Sequence, residues 1–370
     1  MTTIERSSLE VAVVANGQAL SVPVYKIRGQ GNGPNVYIQA NMHGAEVQGN
    51  AVIYQLLEQL KSLTCLGDIT LVPLANPIGS NQKSGEFTLG RFDPITGENW
   101  NRGYHFNAQL PVEFAKANPD LSSDEIKSEF RRAIIEDLEL SKLNNPYGAK
   151  TCQLLCAQLQ RMAFDADIVL DLHTGPISSR HLYCPEYAKD RATLFDIPHV
   201  LFIPSDFDGA MDEASFCPWW QLQQAYQAQG REIDVMVDAF TLELGSQEWL
   251  SLDAAKEDSD SVLSYLQARG SIDSSIFQPK QMTRYACMLK DYRAFYAPQS
   301  GLVEYLAPFG EVLEEGEPLV QMLNIERYGD ERCVTQVRAP EPCIPVLHFA
   351  SASVNQGTEL YKVMTNFFTL

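Results

Sequence analysis

Strand, helix and strand follow one another early in this chain, and that order limits the class of fold before composition is considered. Val36-Tyr37-Ile38 is an apolar run of strand character, and Val52, Leu56, Leu57 and Leu60 recur at helical spacing within residues 48–61. Residues 69–74 return to a strand pattern, and residues 11–14 add another. Short connections between such elements predict a βαβ unit, hence an α/β domain with a largely parallel sheet. Asn76-Pro77-Ile78-Gly79 closes the unit with a turn signal.

The connection between the first strand of that unit and its helix reads Asn41-Met42-His43-Gly44-Ala45-Glu46-Val47-Gln48-Gly49. His43 and Glu46 lie one helical turn apart after a strand, so an imidazole nitrogen and a carboxylate oxygen can be aimed at one point. A divalent metal in a catalytic site needs two of its three protein ligands placed this way. A surface His and Glu at any helix start share the spacing, so its weight rests on partners downstream.

Residues 79–103 are rich in Gly, Asn, Ser and Thr and lack periodicity. A long irregular loop in a compact domain is more often functional than structural. Residues 124–164 read as helical and charged, interrupted near Asn144-Asn145-Pro146, and residues 261–268 read as another helix. Two buried strands are expected at 168–172 and 235–242.

Each of those strands leads to a polar residue of interest. The first runs into His173-Thr174-Gly175, at the end of the sheet where α/β enzymes place their sites. His43, Glu46 and His173 then make a His2Glu set of zinc-type ligands. The second strand leads to Glu243-Leu244-Gly245; a carboxylate there can take a proton from water and return it to a leaving amine. From the loop, Arg91 offers a fixed positive group for a developing oxyanion. The pair Asn101-Arg102 offers an amide and a guanidinium fork for a substrate carboxylate. Asp171 is a candidate supporting partner for the site. His105 and His181 are placed near the pocket, whereas His199 and His348 read as ordinary residues and Pro218-Trp219-Trp220 as core packing.

Composition narrows the partners. The 370 residues, 45% hydrophobic, suffice for one large domain and a smaller one. A formal net charge of −19 argues against nucleic acid or an anionic membrane, which both require a basic footprint. No apolar run approaches the ~20 residues that span a bilayer, and Met1-Thr2-Thr3-Ile4-Glu5-Arg6 lacks the pattern of a signal peptide. The eight cysteines are scattered without a C-x-x-C. A reduced, cytoplasmic compartment is the simplest expectation.

The C-terminal part changes character. Gly301-Leu302 to Gly316-x-x-Leu319 resembles Pro342-Cys343 to Gly357-x-x-Leu360 at an offset of 41 residues. The two halves, joined by Arg327-Tyr328-Gly329-Asp330, suggest a small β-domain made by internal duplication. The repeat resembles the lipoyl/biotinyl barrel-sandwich pattern. Residues 325–333 contain no lysine, so a carrier role is not expected.

His43-x-x-Glu46, Arg91 with Asn101-Arg102, Asp171-Leu172-His173-Thr174 and Glu243-Leu244-Gly245 occur in an order that resembles the succinylglutamate desuccinylase/aspartoacylase family, within the wider zinc carboxypeptidase group. The resemblance covers roughly residues 35–250. It implies a carboxypeptidase-like mixed sheet flanked by helices over residues 1–282, followed by a small all-β barrel-sandwich-like domain over 283–370. It also implies one Zn2+ held by His43, Glu46 and His173, with Glu243 as general base and acid and Arg91 polarising the scissile carbonyl. Asn101 and Arg102 would bind a substrate carboxylate. Two departures bear on Arg91: Trp100 stands where relatives often carry Asp-Leu, and the spacing from Arg91 to Asn101 is longer than in aspartoacylases.

The expected activity is therefore zinc-dependent hydrolysis of an N-acyl amino acid, or of a related small acidic or zwitterionic amide. The alternatives are a zinc carboxypeptidase acting on short peptides and, in a different class, a non-catalytic binding protein working through its β-repeat. Homo-oligomerisation stays open, as do the acyl group and the leaving amine.

Overall fold

The computed structural model describes residues 3–370. They form a mixed α/β fold, with a large mixed sheet, helices against it and additional small antiparallel sheets. The chain forms two compact units. One comprises Met1–His173, Ser205–Thr241 and Glu248–Gln278, the other Thr174–Pro204, Leu242–Gln247 and Pro279–Leu370. Among the described residues no helix is long and apolar enough to cross a membrane.

In the first unit the strands run in the order Ile4–Val13, Ala19–Ile27, Ile69–Val72 and Val36–Ala40, followed by most of Ile168–Gly175 and the first residues of Asp238–Ser246. Val36–Ala40 pairs in parallel with Ile69–Val72 on one side and Ile168–Gly175 on the other, as a βαβ order requires. The two N-terminal strands differ. They pair antiparallel with each other, and the second pairs antiparallel with Ile69–Val72. The link between them is too short for a crossover, so the chain can only turn back on itself.

Residues of Val36–Ala40 and Ile168–Gly175 are buried throughout, including the polar Gln39, Asp171 and His173. Side chains alternate across a strand, so Tyr37 and Gln39 share one face, as do Asp171 and His173. Gln39 and Asp171 are direct partners in the parallel register.

The helix expected over 48–61 is present as Gln48–Leu60 and buries Val52, Ile53, Leu56 and Leu60. Each such side chain contributes roughly 1.5–3 kcal/mol on burial. The helix starts very close to the sheet. A Cβ at Gly49 would lie 2.8 Å from Ala40 Cβ and 2.9 Å from Leu172 Cβ, so only glycine allows this approach. The segment before the helix is thereby pinned at the ends of two adjacent strands.

Further along, Ser123–Leu138 and Thr151–Ala163 are separate helices, divided near the expected break. Ser122 caps the first through Glu125, each side chain bonding the other's backbone N–H. Trp219, within the helix Met211–Gln227, is buried edge-on against Phe130. That is the core packing expected of it.

In the second unit Arg180–Pro185, His199–Ile203 and Tyr285–Met288 pair in parallel. Beside them are two four-stranded antiparallel sheets. Pro318–Leu323 lies inside one and Glu359–Met364 inside the other, at the 41-residue offset seen in the sequence. Val303, Leu319, Met322, Val354, Leu360 and Val363 from both sheets share one apolar core. All eight cysteines are free.

Candidate metal centre

The ligand turn begins at Asn41, which takes the left-handed conformation with φ 66°. Asparagine tolerates that conformation better than most residues. Its side chain is buried, and its Nδ2 donates to the carbonyls of His43 at 3.1 Å, Gly44 at 3.2 Å and Glu46 at 3.3 Å. Asn76 Nδ2 donates to Met42 O at 2.9 Å from the opposite side. Gly44 N donates to Gly90 O at 3.0 Å, and a Cβ on Gly44 would lie 2.1 Å from Gly79 O. The turn is thus clamped against residues 76–90, and its central glycine is obligatory.

His43, Glu46 and His173 converge. One ligand atom from each lies within 4.8 Å of the others, and all three residues are buried. Glu46 is the hub. Its Oε1 lies 2.8 Å from His43 Nδ1 and accepts from Arg91 Nη2 at 2.7 Å, while its Oε2 lies 2.8 Å from His173 Nδ1. The far nitrogen of each ring is also engaged. His43 Nε2 is 2.8 Å from Asn99 Oδ1, and His173 Nε2 is 2.8 Å from Asp171 Oδ2. A carboxylate or amide oxygen can only accept, so a hydrogen on each Nε2 would satisfy the outward contacts, just as one on each Nδ1 would satisfy Glu46 while no cation lies between them. Both Nδ1 atoms face the shared centre at Glu46, and outward partners at Nε2 are typical of metal-ligating histidines.

The electrostatics fit a cation. Burial alone would raise the Glu46 carboxyl, but His43, Arg91 and His173 override it and hold it well below the usual range. At His173 burial opposes the charged ring, yet Asp171 and Glu46 raise its affinity for a proton well above the ordinary value. At His43 burial wins and its proton affinity is lowered. Two imidazoles and a carboxylate around one desolvated point make a donor set that fits a divalent ion such as zinc.

Of the other sequence candidates, Arg91 reaches the cluster through Glu46, with its side chain 37% exposed. Asn101 is buried beside His173, its Nδ2 lying 3.3 Å from His173 Nε2. Among the described residues its Oδ1 is buried without a partner. Arg102 is exposed, donating to Asn101 O at 2.7 Å, with Asp208 3.6 Å from its Nε. His105 is paired with Asp137 at 2.7 Å.

Two expectations shift in detail. His173 and Glu243 were expected just beyond strands, but both lie within strands, Ile168–Gly175 and Asp238–Ser246. The added length comes from backbone pairing that continues through polar residues. Glu243 is half-buried in the second unit, near enough to Tyr292 to reinforce the upward shift that burial and Tyr183 give that phenol. His181 and His199 are buried in the same unit, and His348 stacks on Tyr305 with ring centroids 3.9 Å apart.

Sequence reasoning missed Asn99, Asn41 and Gln39. The run Asn99-Trp100-Asn101 carried a signal, since residues two apart in a tight turn can converge on one site. Nothing in the sequence marked Gln39, whose neighbours are set by strand register alone.

Fold and cluster together define an α/β protein with a buried site able to hold a metal ion. The sequence pattern of the succinylglutamate desuccinylase/aspartoacylase catalytic domain matches residues 32–269, and the chain belongs to that family of deacylases. A crystal structure of a candidate succinylglutamate desuccinylase/aspartoacylase from Shewanella frigidimarina NCIMB 400 is 54% identical, with TM-score 0.97 over 100% of this chain and 99% of that one. A family protein from Shewanella amazonensis SB2B is also 54% identical, with TM-score 0.95 over 99% and 100%. A succinylglutamate desuccinylase/aspartoacylase from Rhodobacter sphaeroides, 16% identical, shares the fold with TM-score 0.67 over 98% and 95%. A search of curated protein sequences finds no match.

Proposed function

We propose that this protein is a zinc-dependent hydrolase that cleaves the amide bond of an N-acyl amino acid or a related small carboxylate-bearing amide. The observation that carries this reading is the convergence of His43 Nδ1, Glu46 and His173 Nδ1, with Asn99 and Asp171 holding the far ring nitrogens. These three residues would hold the ion, which when bound supplies a Lewis acid for the carbonyl and acidifies water.

The remaining chemistry belongs to side chains. Glu243 takes a proton from the attacking water and delivers it to the leaving nitrogen. Arg91 uses Nη2 for Glu46, which leaves Nη1 for the carbonyl oxygen as charge develops there. Arg102 and Asn101 hold the substrate carboxylate. Because His173 Nε2–H points at Asp171, half a turn of the Asn101 amide would set its oxygen toward that N–H. Its NH2 would then be free for a carboxylate.

The reading includes a carboxypeptidase-like catalytic part over residues 1–282 and a β-rich, non-carrier part over 283–370. Metal analysis with an assay of N-acetyl and N-succinyl amino acids beside dipeptides tests it. About one zinc per chain and turnover of the acyl amino acids are expected. Less than about half a zinc after reconstitution counts against the metal site, and turnover of dipeptides alone counts against the deacylase.

A further inference from the structure

Behind His173 lies a hydrogen-bonded chain that the reaction itself does not use. Asp171 Oδ2 is engaged by His173, and its Oδ1 accepts from Gln39 Nε2 at 2.9 Å. Gln39 Oε1 accepts from Tyr37 Oη at 2.9 Å, and Gln39 Nε2 also donates to Tyr104 Oη at 3.0 Å. Tyr37, Gln39 and Asp171 have no solvent exposure, and Tyr104 is buried.

The direction of the chain is fixed by chemistry. An ionised Asp171 only accepts, so Gln39 must turn its NH2 toward it and its carbonyl toward Tyr37, whose hydroxyl must donate. A buried amide is costly unless its polar atoms are satisfied, and an apolar side chain would serve the sheet core as well. Here both ends of the amide are satisfied, and the residue it serves is the one that orients a ligand histidine. The arrangement comes directly from register: Gln39 and Asp171 are opposite partners on adjacent parallel strands.

We propose that Gln39, backed by Tyr37 and Tyr104, is a positioning residue of the metal site. It locks the Asp171 carboxylate so that His173 keeps its hydrogen on Nε2 and turns Nδ1 to the ion. This inference rests on the proposed metal-dependent function. It predicts that Gln39 acts through Asp171 and has no separate effect on the centre.

The test is a double-mutant cycle on Zn2+ affinity, measured by chelator competition on the full chain. Gln39→Leu is expected to weaken binding roughly tenfold, and Asp171→Asn by about 10–100-fold. Because both act on one link, Gln39→Leu should add less than about twofold in the Asp171→Asn background. 15N NMR of the histidine side chains in the Zn2+-loaded protein should show His173 with its hydrogen on Nε2 in the wild type, and that Nε2–H signal displaced in Gln39→Leu. Independent, additive losses would overturn the proposal, as would an unchanged His173 signal. Should Gln39→Leu not fold, Tyr37→Phe decides by the same two readouts, with about threefold weaker binding expected. Tight wild-type binding that Gln39→Leu leaves unchanged overturns this inference alone. No Zn2+ binding by the wild type overturns the proposed function and this inference with it.

Discussion

Asp171 and His173 stand on the same face of one strand, with Asp171 Oδ2 2.8 Å from His173 Nε2. The strand period of two makes this pairing automatic once both residues are in a single strand. The carboxylate engages the ring at Nε2, with Nδ1 turned to Glu46 Oε2. Asp171→Asn should therefore weaken Zn2+ binding about 10–100-fold while the protein remains folded. Chelator competition, with circular dichroism as the folding control, measures it; wild-type affinity in the variant would remove Asp171 from that role.

Glu243 offers a test that separates metal binding from proton transfer. Glu243→Gln keeps the size of the side chain and removes its basicity. The expected result is full zinc content with turnover reduced at least about a hundredfold. Metal analysis and steady-state kinetics on one preparation decide the matter, and near-normal turnover would exclude Glu243 as the base.

Gly44 is a steric prediction. The Cβ introduced by Gly44→Ala would come 2.1 Å from the backbone oxygen of Gly79, which has no side-chain freedom to yield. Overpacking of this kind costs about 1–3 kcal/mol. Because the shift falls between His43 and Glu46, zinc affinity should fall together with thermal stability. A variant with unchanged melting temperature and affinity would show that the turn is less tightly clamped than these contacts imply.

Buried His181 makes stability depend on acid. Burial pushes its pKa down to about 3 from the ordinary 6.5, with His199 and Lys362 also opposing the charge and the Ser179 carbonyl at Nδ1 favouring it. Tyr183 and Tyr292 pack around the ring. The unfolded chain gains a proton below about pH 6.5, whereas the folded ring stays neutral until about pH 3. Between those limits stability should fall with falling pH by up to about 1.4 kcal/mol per unit. Above the upper limit this group contributes no slope. In His181→Leu the loss of melting temperature between pH 6.5 and 4 should be shallower; an identical profile would show that other groups govern acid sensitivity.

Much of this protein was legible in the chain itself. The spacing of Val52, Leu56 and Leu60 determined the helix Gln48–Leu60, and the strand, helix, strand order determined parallel pairing around Val36–Ala40. The types and order of His43, Glu46 and His173 determined a metal-type donor set, because few other chemistries need two imidazoles and a carboxylate together. The 41-residue offset of Pro318–Leu323 and Glu359–Met364 was equally plain.

Tertiary structure alone decided what surrounds those donors. Asn99 meets His43 across 56 positions and Gln39 meets Asp171 across 132, separations at which local pattern carries no information. The antiparallel N-terminal strands, the pairing of Arg91 with Glu46 and the clamp on Gly44 were likewise settled by register and by segments distant in sequence. The physical reason is range. Periodicity and residue type act over a few neighbours along the chain, whereas the orientation of a buried ring is set by whichever donors and acceptors packing brings within 3 Å or so of it.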